Sequence, residues 1–253
     1  MYALITGASS GIGMEMAKIL SADYDLILVA RHMEPLQELQ TYLQQTTEHT
    51  ISIIGADVSA MEECQHLRDE VADKPIEILI NGAGFGVYGS FTDTSLEREL
   101  EMIDTNVAGT QTLMKLFLPG MIERGHGYIL NIASSAGYMP GGPKMAGYYA
   151  SKAYVLSLTR SVAEELRMNQ MPVYVGALCP GPVKTKFNIR AGVKNDIHGI
   201  SASVCAAYGL KQMFHKKELI IPGWSIKWTY IGSKLMPDRW LLYFAGKIQN
   251  KKG

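Results

Sequence analysis

The chain is 253 residues long with an apolar share of 47%, enough to bury one large core, and no proline-rich, serine-rich or like-charge run divides it. Lys plus Arg and Asp plus Glu both number 24, so a zero net charge supplies no general field for nucleic acid or an acidic membrane, and no nucleic-acid partner is expected. Three cysteines, Cys64, Cys179 and Cys205, lie far apart without CxxC spacing, which argues against a zinc site or a secreted disulfide framework and makes a cytoplasmic, metal-free protein the expectation. No apolar run reaches the roughly 18 residues that span a bilayer, and a first strand beginning at Tyr2 leaves no room for a leader.

In chain order, short runs rich in Ile, Leu and Val alternate with stretches of helical periodicity. Strands are predicted over residues 3–6, 25–30, 51–56, 76–81, 127–133, 173–179 and 219–221, and helices over 12–21, 34–45, 60–72, 96–123, 147–169 and 201–215. Continuous apolar strands suit a parallel sheet covered by helices on both faces. The alternation predicts an α/β fold, a doubly wound and mostly parallel sheet of seven strands, with ligands at the carboxyl ends of the strands. One domain is expected over residues 1–222, followed by an extension over 223–253.

Between the first strand and the first helix stands Thr6-Gly7-Ala8-Ser9-Ser10-Gly11-Ile12-Gly13. Gly7, Gly11 and Gly13 allow a tight turn and let an anion reach the backbone, while the helix start offers unpaired amides and its positive dipole end. Ser9 and Ser10 add hydroxyl donors. No Lys-Ser or Lys-Thr follows the last glycine, so the phosphates of a dinucleotide suit this turn better than those of a nucleoside triphosphate. Where the second strand ends, an acidic residue would bind adenosine ribose hydroxyls. Arg31 stands there instead, and its forked guanidinium, helped by Ser9, predicts a 2′-phosphate and so NADP over NAD. Asp57-Val58 closes the third strand, where the carboxylate can accept from an adenine amino group. Asn81-Gly82-Ala83-Gly84 closes the fourth with residues small enough for the backbone to run beside a cofactor.

In the helix predicted from residue 147, Tyr148 and Lys152 are four apart and share a face. Bringing a phenol from about 10 to about 7 needs roughly 4 kcal/mol of stabilisation of the phenolate, which an ammonium and an oxidised nicotinamide can supply together. Tyr149 competes, three residues from the same lysine. Ser134 and Ser135 follow the fifth strand, and one of them is expected to hydrogen-bond a substrate carbonyl. Asn106 lies near Gly109 inside a predicted helix, a poor pair for stability unless the helix is kinked there around bound water.

Together these residues, with Pro180-Gly181-Pro182-Val183-Lys184-Thr185 after the sixth strand, resemble the short-chain dehydrogenase/reductase family, in its branch built of one extended Rossmann domain. The resemblance runs from Tyr2 to about Ile221. It implies Tyr148 as general acid and base, Lys152 as holder of the nicotinamide ribose, Ser134 as partner of the carbonyl and Asn106 as holder of a relay water. The implied cofactor cradle is Gly7, Ser9, Ser10, Gly11, Ile12, Gly13, Arg31, Asp57, Val58, Asn81, Ala83, Gly84, Tyr148, Lys152, Pro180, Gly181, Val183 and Thr185. Two features depart from the family pattern. Gly82 stands where asparagine is usual, and a spacing of thirteen residues before the tyrosine points to Ser135, whereas Ala136-Gly137 points to Ser134. The expected activity is NADP(H)-dependent interconversion of a ketone or aldehyde with an alcohol. Reduction of carrier-bound 3-oxoacyl chains and a non-catalytic NADP-sensing regulator are the alternatives, and a homodimer or homotetramer is implied.

Phe85, Val87, Tyr88, Tyr138, Met139, Met145 and Phe187 predict an apolar substrate pocket, with residues 187–199 as its lid. All three tryptophans, Trp224, Trp228 and Trp240, fall in the basic tail with Lys227, Lys234, Arg239, Lys247, Lys251 and Lys252. Pro222 and Pro237 interrupt any long helix there, so the tail is expected to pack on the domain or on a sister subunit, with peripheral membrane contact as the second reading.

Overall fold

The computed structural model describes residues 1–193 and 199–250. Its first half runs β1 (Tyr2–Thr6), α1 (Gly11–Leu20), β2 (Asp25–Ala30), α2 (Met33–Gln44), β3 (Ile51–Gly55), α3 (Met61–Glu70), β4 (Ile76–Asn81) and α4 (Leu96–Ile103). A π-helical turn, Asp104–Gly109, joins α4 to α5 (Thr110–Arg124), and β5 (Gly127–Ile132), a 3₁₀ turn (Ser135–Tyr138), α6 (Ala146–Met168) and β6 (Val173–Leu178) follow. The remainder is β7 (Val183–Lys184), α7 (Phe187–Arg190), β8 (Ile200–Ser201), α8 (Ala202–Phe214), β9 (Leu219–Ile220), α9 (Trp224–Leu235) and α10 (Asp238–Asn250).

Seven of the strands form one sheet in the order β3-β2-β1-β4-β5-β6-β9, every pair parallel, as the sequence alternation predicts. Side chains on successive strand residues face opposite sides, and each side is closed by helices. Ile5, Leu28 and Ile80 pack with Met16, Leu20, Leu36 and Leu210, while Leu4, Ile27 and Leu79 pack with Leu67, Leu113, Phe117 and Leu166. The strand order reverses between β1 and β4, so the chain leaves these two neighbours in opposite directions and opens a crevice at their carboxyl ends.

The long helix predicted over 96–123 is interrupted where the sequence raised doubt about stability. The π-helical turn carries Asn106, whose Nδ2 donates to the carbonyl of Phe85 at 2.9 Å and to Ser151 Oγ at 3.0 Å. Its Oδ1 accepts from the amide of Phe85 at 3.0 Å. The side chain therefore fastens the loop following β4 to α6. At the end of the turn, Gly109 lies so close to the carbonyl of Val58 that a side chain there would collide with it.

A buried polar column ties the sheet centre to α6. Asn81 Nδ2 donates to Asn131 Oδ1 at 2.8 Å, and Asn131 Nδ2 donates to Thr159 Oγ1 at 2.8 Å. Asn131 is fully enclosed, so truncating it strands the groups it serves. Asn131→Ala is expected to destabilise the protein by about 2–4 kcal/mol in urea unfolding with an unchanged slope, and a loss below about 1 kcal/mol would show that the column does not hold the sheet to the helix.

Candidate active site

The crevice is a cavity of about 1060 Å³ at the carboxyl edge of the sheet, at the upper end of the range for small-molecule sites. Its floor is built from residues without side chains. Gly7 has φ +66°, and a Cβ there would lie 2.6 Å from the carbonyl oxygen of Gly82. A Cβ on Gly13 would lie 2.6 Å from the carbonyl of Gly7, and one on Gly82 would lie 2.6 Å from that of Thr6. In this conformation position 82 has no room for a Cβ, and glycine lets the two strand ends approach this closely. Thr6 Oγ1 accepts from the amides of Gly82 at 3.1 Å and Ala83 at 3.3 Å, which locks the ends of β1 and β4 together. At the start of α1, the side chain of Ser10 makes no capping bond, so the first amides of the helix remain available to an anion. The bare glycine floor and the uncapped helix end fit the phosphates of a dinucleotide.

At the far end of the cavity Arg31 does not stand alone. Its Nη1 lies 2.5 Å from Glu101 Oε1 and 3.8 Å from Asp57 Oδ2. Arg98 grips the other oxygen of Glu101 and sets its guanidinium 4.1 Å above the Phe85 ring. These contacts, the Arg31 hydrogen bond foremost, hold the Glu101 carboxyl below the usual range. Asp57 Oδ1 accepts from the amide and hydroxyl of Ser59.

Tyr148 and Lys152 meet at the middle of the cavity wall. Ser134 stands next to the Tyr148 hydroxyl and acts to lower its pKa, and the Lys152 ammonium donates to the carbonyl of Ile132 at 2.8 Å while lying 6.0 Å from the centre of the tyrosine ring. Ser134 also accepts from the amide of Ala136 at 3.1 Å. The two alternatives also line the cavity, where Ser135 stands next to Tyr138 and Tyr149 accepts from Gln249 Nε2 at 2.8 Å. Burial pushes the Tyr148 phenol up to about 12, with Ser134 opposing it, and pushes the Lys152 ammonium down to about 8. The lysine does not by itself make the phenol acidic. Burial also lifts the neighbouring Cys179 thiol to about 12, so it stays protonated and inert.

Of the residues predicted from sequence, the cavity wall gathers the glycine turn with Ser9, Ser10 and Ile12, and also Arg31, Asp57, Val58, Ala83, Gly84, Ser134, Tyr148, Lys152, Pro180, Gly181, Val183 and Thr185. Asn81 and Asn106 lie behind the wall, the first bonded to Asn131 and the second to Phe85 and Ser151. The Asn106 backbone carbonyl accepts from Thr110 Oγ1 at 2.9 Å. Phe85, Tyr138, Met139, Met145 and Phe187 line the cavity as predicted. Val87 and Tyr88 do not, and Tyr88 instead donates to the carbonyl of Gln249. Of the predicted lid, Phe187 packs 5.3 Å from the Tyr148 ring, and residues 194–198 lie outside the described residues.

The sequence reading missed a whole wall. Ile226 and Thr229 of α9 and Ala245, Ile248 and Gln249 of α10 line the cavity, and Tyr138 Oη bonds the carbonyl of Ile226 at 3.2 Å. The only local sign was Leu241, Ala245 and Gln249 at intervals of four, a buried helical stripe among exposed neighbours. Glu101, Arg98 and Thr105 were also missed, because their place in the cavity depends on contacts across tens of residues.

The fold and this arrangement define a doubly wound oxidoreductase-type domain with a dinucleotide-shaped crevice. The family model described as short chain dehydrogenase matches residues 1–195, and the chain belongs to that family. It is 32% identical over 218 residues to an uncharacterized oxidoreductase of Staphylococcus saprophyticus, covering 84% of this chain and 92% of that relative. A short-chain dehydrogenase from Sphingobium yanoikuyae, solved in complex with NADPH, superposes with a TM-score of 0.84 at 28% identity over 92% of this chain and 93% of that one. The bulky-bulky ketone specific alcohol dehydrogenase from Comamonas testosteroni gives a TM-score of 0.79 at 27% identity over 92% and 91%.

Two outcomes test this geometry. Ser134→Ala should lower turnover about 100-fold or more and Ser135→Ala less than about threefold, and the reverse order in steady-state assays would contradict the assignment. For Lys152 the folded value of about 8 lies below the ordinary 10.5, so the stability present with a neutral amine, above 10.5, is lost as pH falls through about 8. Lys152→Met should therefore raise the melting temperature at pH 7, and a lower one would show that the ammonium stabilises the fold.

Proposed function

We propose that this chain is an NADP(H)-dependent oxidoreductase that interconverts a carbonyl compound and an alcohol, with Tyr148 as the group that gives and takes the proton. The observation that carries this reading is the gathering of Tyr148, Ser134 and the buried Lys152 ammonium on one cavity wall, between the glycine floor and the apolar end. The bound cofactor supplies or accepts the hydride. Ser134 orients a carbonyl oxygen toward the phenol, and the phenol, protonated at neutral pH, donates to that oxygen as charge develops on it. Lys152, anchored on Ile132, supplies a fixed positive charge that favours the phenolate left behind. Asn106 keeps α6 in place through Ser151 rather than touching the reacting groups.

Support for a nicotinamide cofactor comes from the glycine floor and from the Sphingobium relative, whose structure holds NADPH. Preference for the phosphorylated form rests on Arg31, which a 2′-phosphate would have to share with Glu101. The apolar cavity end, formed by Phe85, Met139, Met145, Phe187 and Ile226, suits a bulky apolar substrate, in keeping with the described preference of the Comamonas relative.

Tyr148→Phe should lower turnover of any active substrate by about 10²–10⁴-fold while NADPH binding, followed by its fluorescence, is retained. Retained turnover would remove the mechanism. Arg31→Ala should raise KM for NADPH about tenfold or more and that for NADH less than about twofold, and equal effects on both would refute the phosphate role. The pH dependence should split by direction. Oxidation, which needs the phenolate, should rise with pH, and reduction should not; two profiles of the same shape would contradict the proton role.

A further inference from the structure

The tail helices have a second face. On α9, Trp224, Trp228, Ile231 and Leu235 recur at helical spacing on one stripe, and it points outward, with Trp224 76% and Leu235 79% exposed. On α10, Trp240 and Phe244 form an exposed stripe beside the one that packs on the domain, Phe244 stacking with Trp240 and Tyr243. Lys227, Lys234, Arg239 and Lys247 stand among them with Asp238 as the single carboxylate on the two helices. None of the four cations has an ion-pair partner among the described residues; Lys227, Lys234 and Lys247 instead lie over tyrosine rings at 4.6 to 5.7 Å. A chain whose charges balance overall thus concentrates positive charge on two tryptophan-bearing helices, with Lys227 turned toward Tyr208 and Lys234, Arg239 and Lys247 exposed.

We infer that the outer face of α9 and α10 docks on an anionic lipid surface. Charge decides between the occupants. A second copy packed here by a twofold axis would set the same cations against each other, whereas acidic headgroups complement them. Tryptophan and tyrosine mixed with lysine match the boundary between acyl chains and headgroups, where an aromatic body is apolar and its polar edge stays wet. No helix of the described residues is long and apolar enough to cross a membrane, so the contact lies along the surface. The inner face of the same helices walls the cavity, and Ile248 is both part of that wall and exposed, so the mouth opens beside the docking face. The docking stands apart from the catalytic reading: vesicle binding by a chain that turned over nothing would leave it intact.

The three tryptophans of the chain all lie on these helices, which makes their emission a direct report. The full-length protein is mixed with vesicles of phosphatidylcholine alone or with phosphatidylglycerol added, carrying brominated acyl chains as quencher. A blue shift and quenching with the anionic vesicles are expected, with binding about tenfold or more weaker to the neutral ones and weakened further by salt. Lys234→Glu with Lys247→Glu should lose about tenfold or more, and so should Trp228→Ser with Trp240→Ser, with circular dichroism unchanged. Equal binding of wild type and variants, or no binding to either vesicle, would overturn the inference. A dimer in sedimentation that the same substitutions dissociate would assign the face to a second copy and overturn it as well.

Discussion

An ammonium ion in the interior is the constraint around which this site is arranged. Lys152 is 6% exposed, and its charge is held there by one carbonyl, that of Ile132, at 2.8 Å. Burial disfavours that charge strongly enough to move the group toward neutrality, so the fold carries a local instability at the centre of its cavity. Strongly perturbed charges of this kind cluster at functional sites, and in the proposed mechanism the neighbour that profits is Tyr148. In the protein alone burial dominates the phenol too and keeps its proton in place. The pair is thus a protonated phenol beside a reluctant cation, the state from which the proposed proton transfer starts.

A second constraint is the absence of side chains where β1 and β4 part. Gly7, Gly13 and Gly82 touch through their backbones, and Thr6 stitches the two strand ends with its hydroxyl. That contact brings the uncapped start of α1 to the sheet edge, with the ends of β4 and β5 beside it. From there the Ile132 carbonyl reaches Lys152 and the following Ser134 reaches Tyr148. The phosphate-binding end and the chemical end of the cavity therefore derive from the same reversal of strand order.

What the sequence made legible was local. The strands announce themselves as Ile, Leu and Val runs, the glycine turn by its spacing, and the Tyr148–Lys152 pair by four residues of helix. Tyr148, Tyr149, Ser134 and Ser135 all line the cavity, so the sequence located the right segments and left the choice within each pair to experiment. What stayed hidden were contacts without a local pattern. Glu101 is seventy residues from Arg31, and Gln249 reaches Tyr149 across a hundred. The tail looked like an appendage because its composition is dominated by exposed Trp and Lys. Its buried stripe of Leu241, Ala245 and Gln249 is too short to stand out against them.

The account turns on a Tyr148 phenol that holds its proton in the isolated protein and yields it when positive charge is added nearby. Ultraviolet difference titration of the wild type against Tyr148→Phe isolates that one phenol from the other twelve tyrosines. Its phenolate band is expected only above the ordinary value of 10 in the protein alone, and at clearly lower pH once NADP⁺ is added. A band that appears near neutral pH without NADP⁺, or one that NADP⁺ leaves unmoved, would contradict the account.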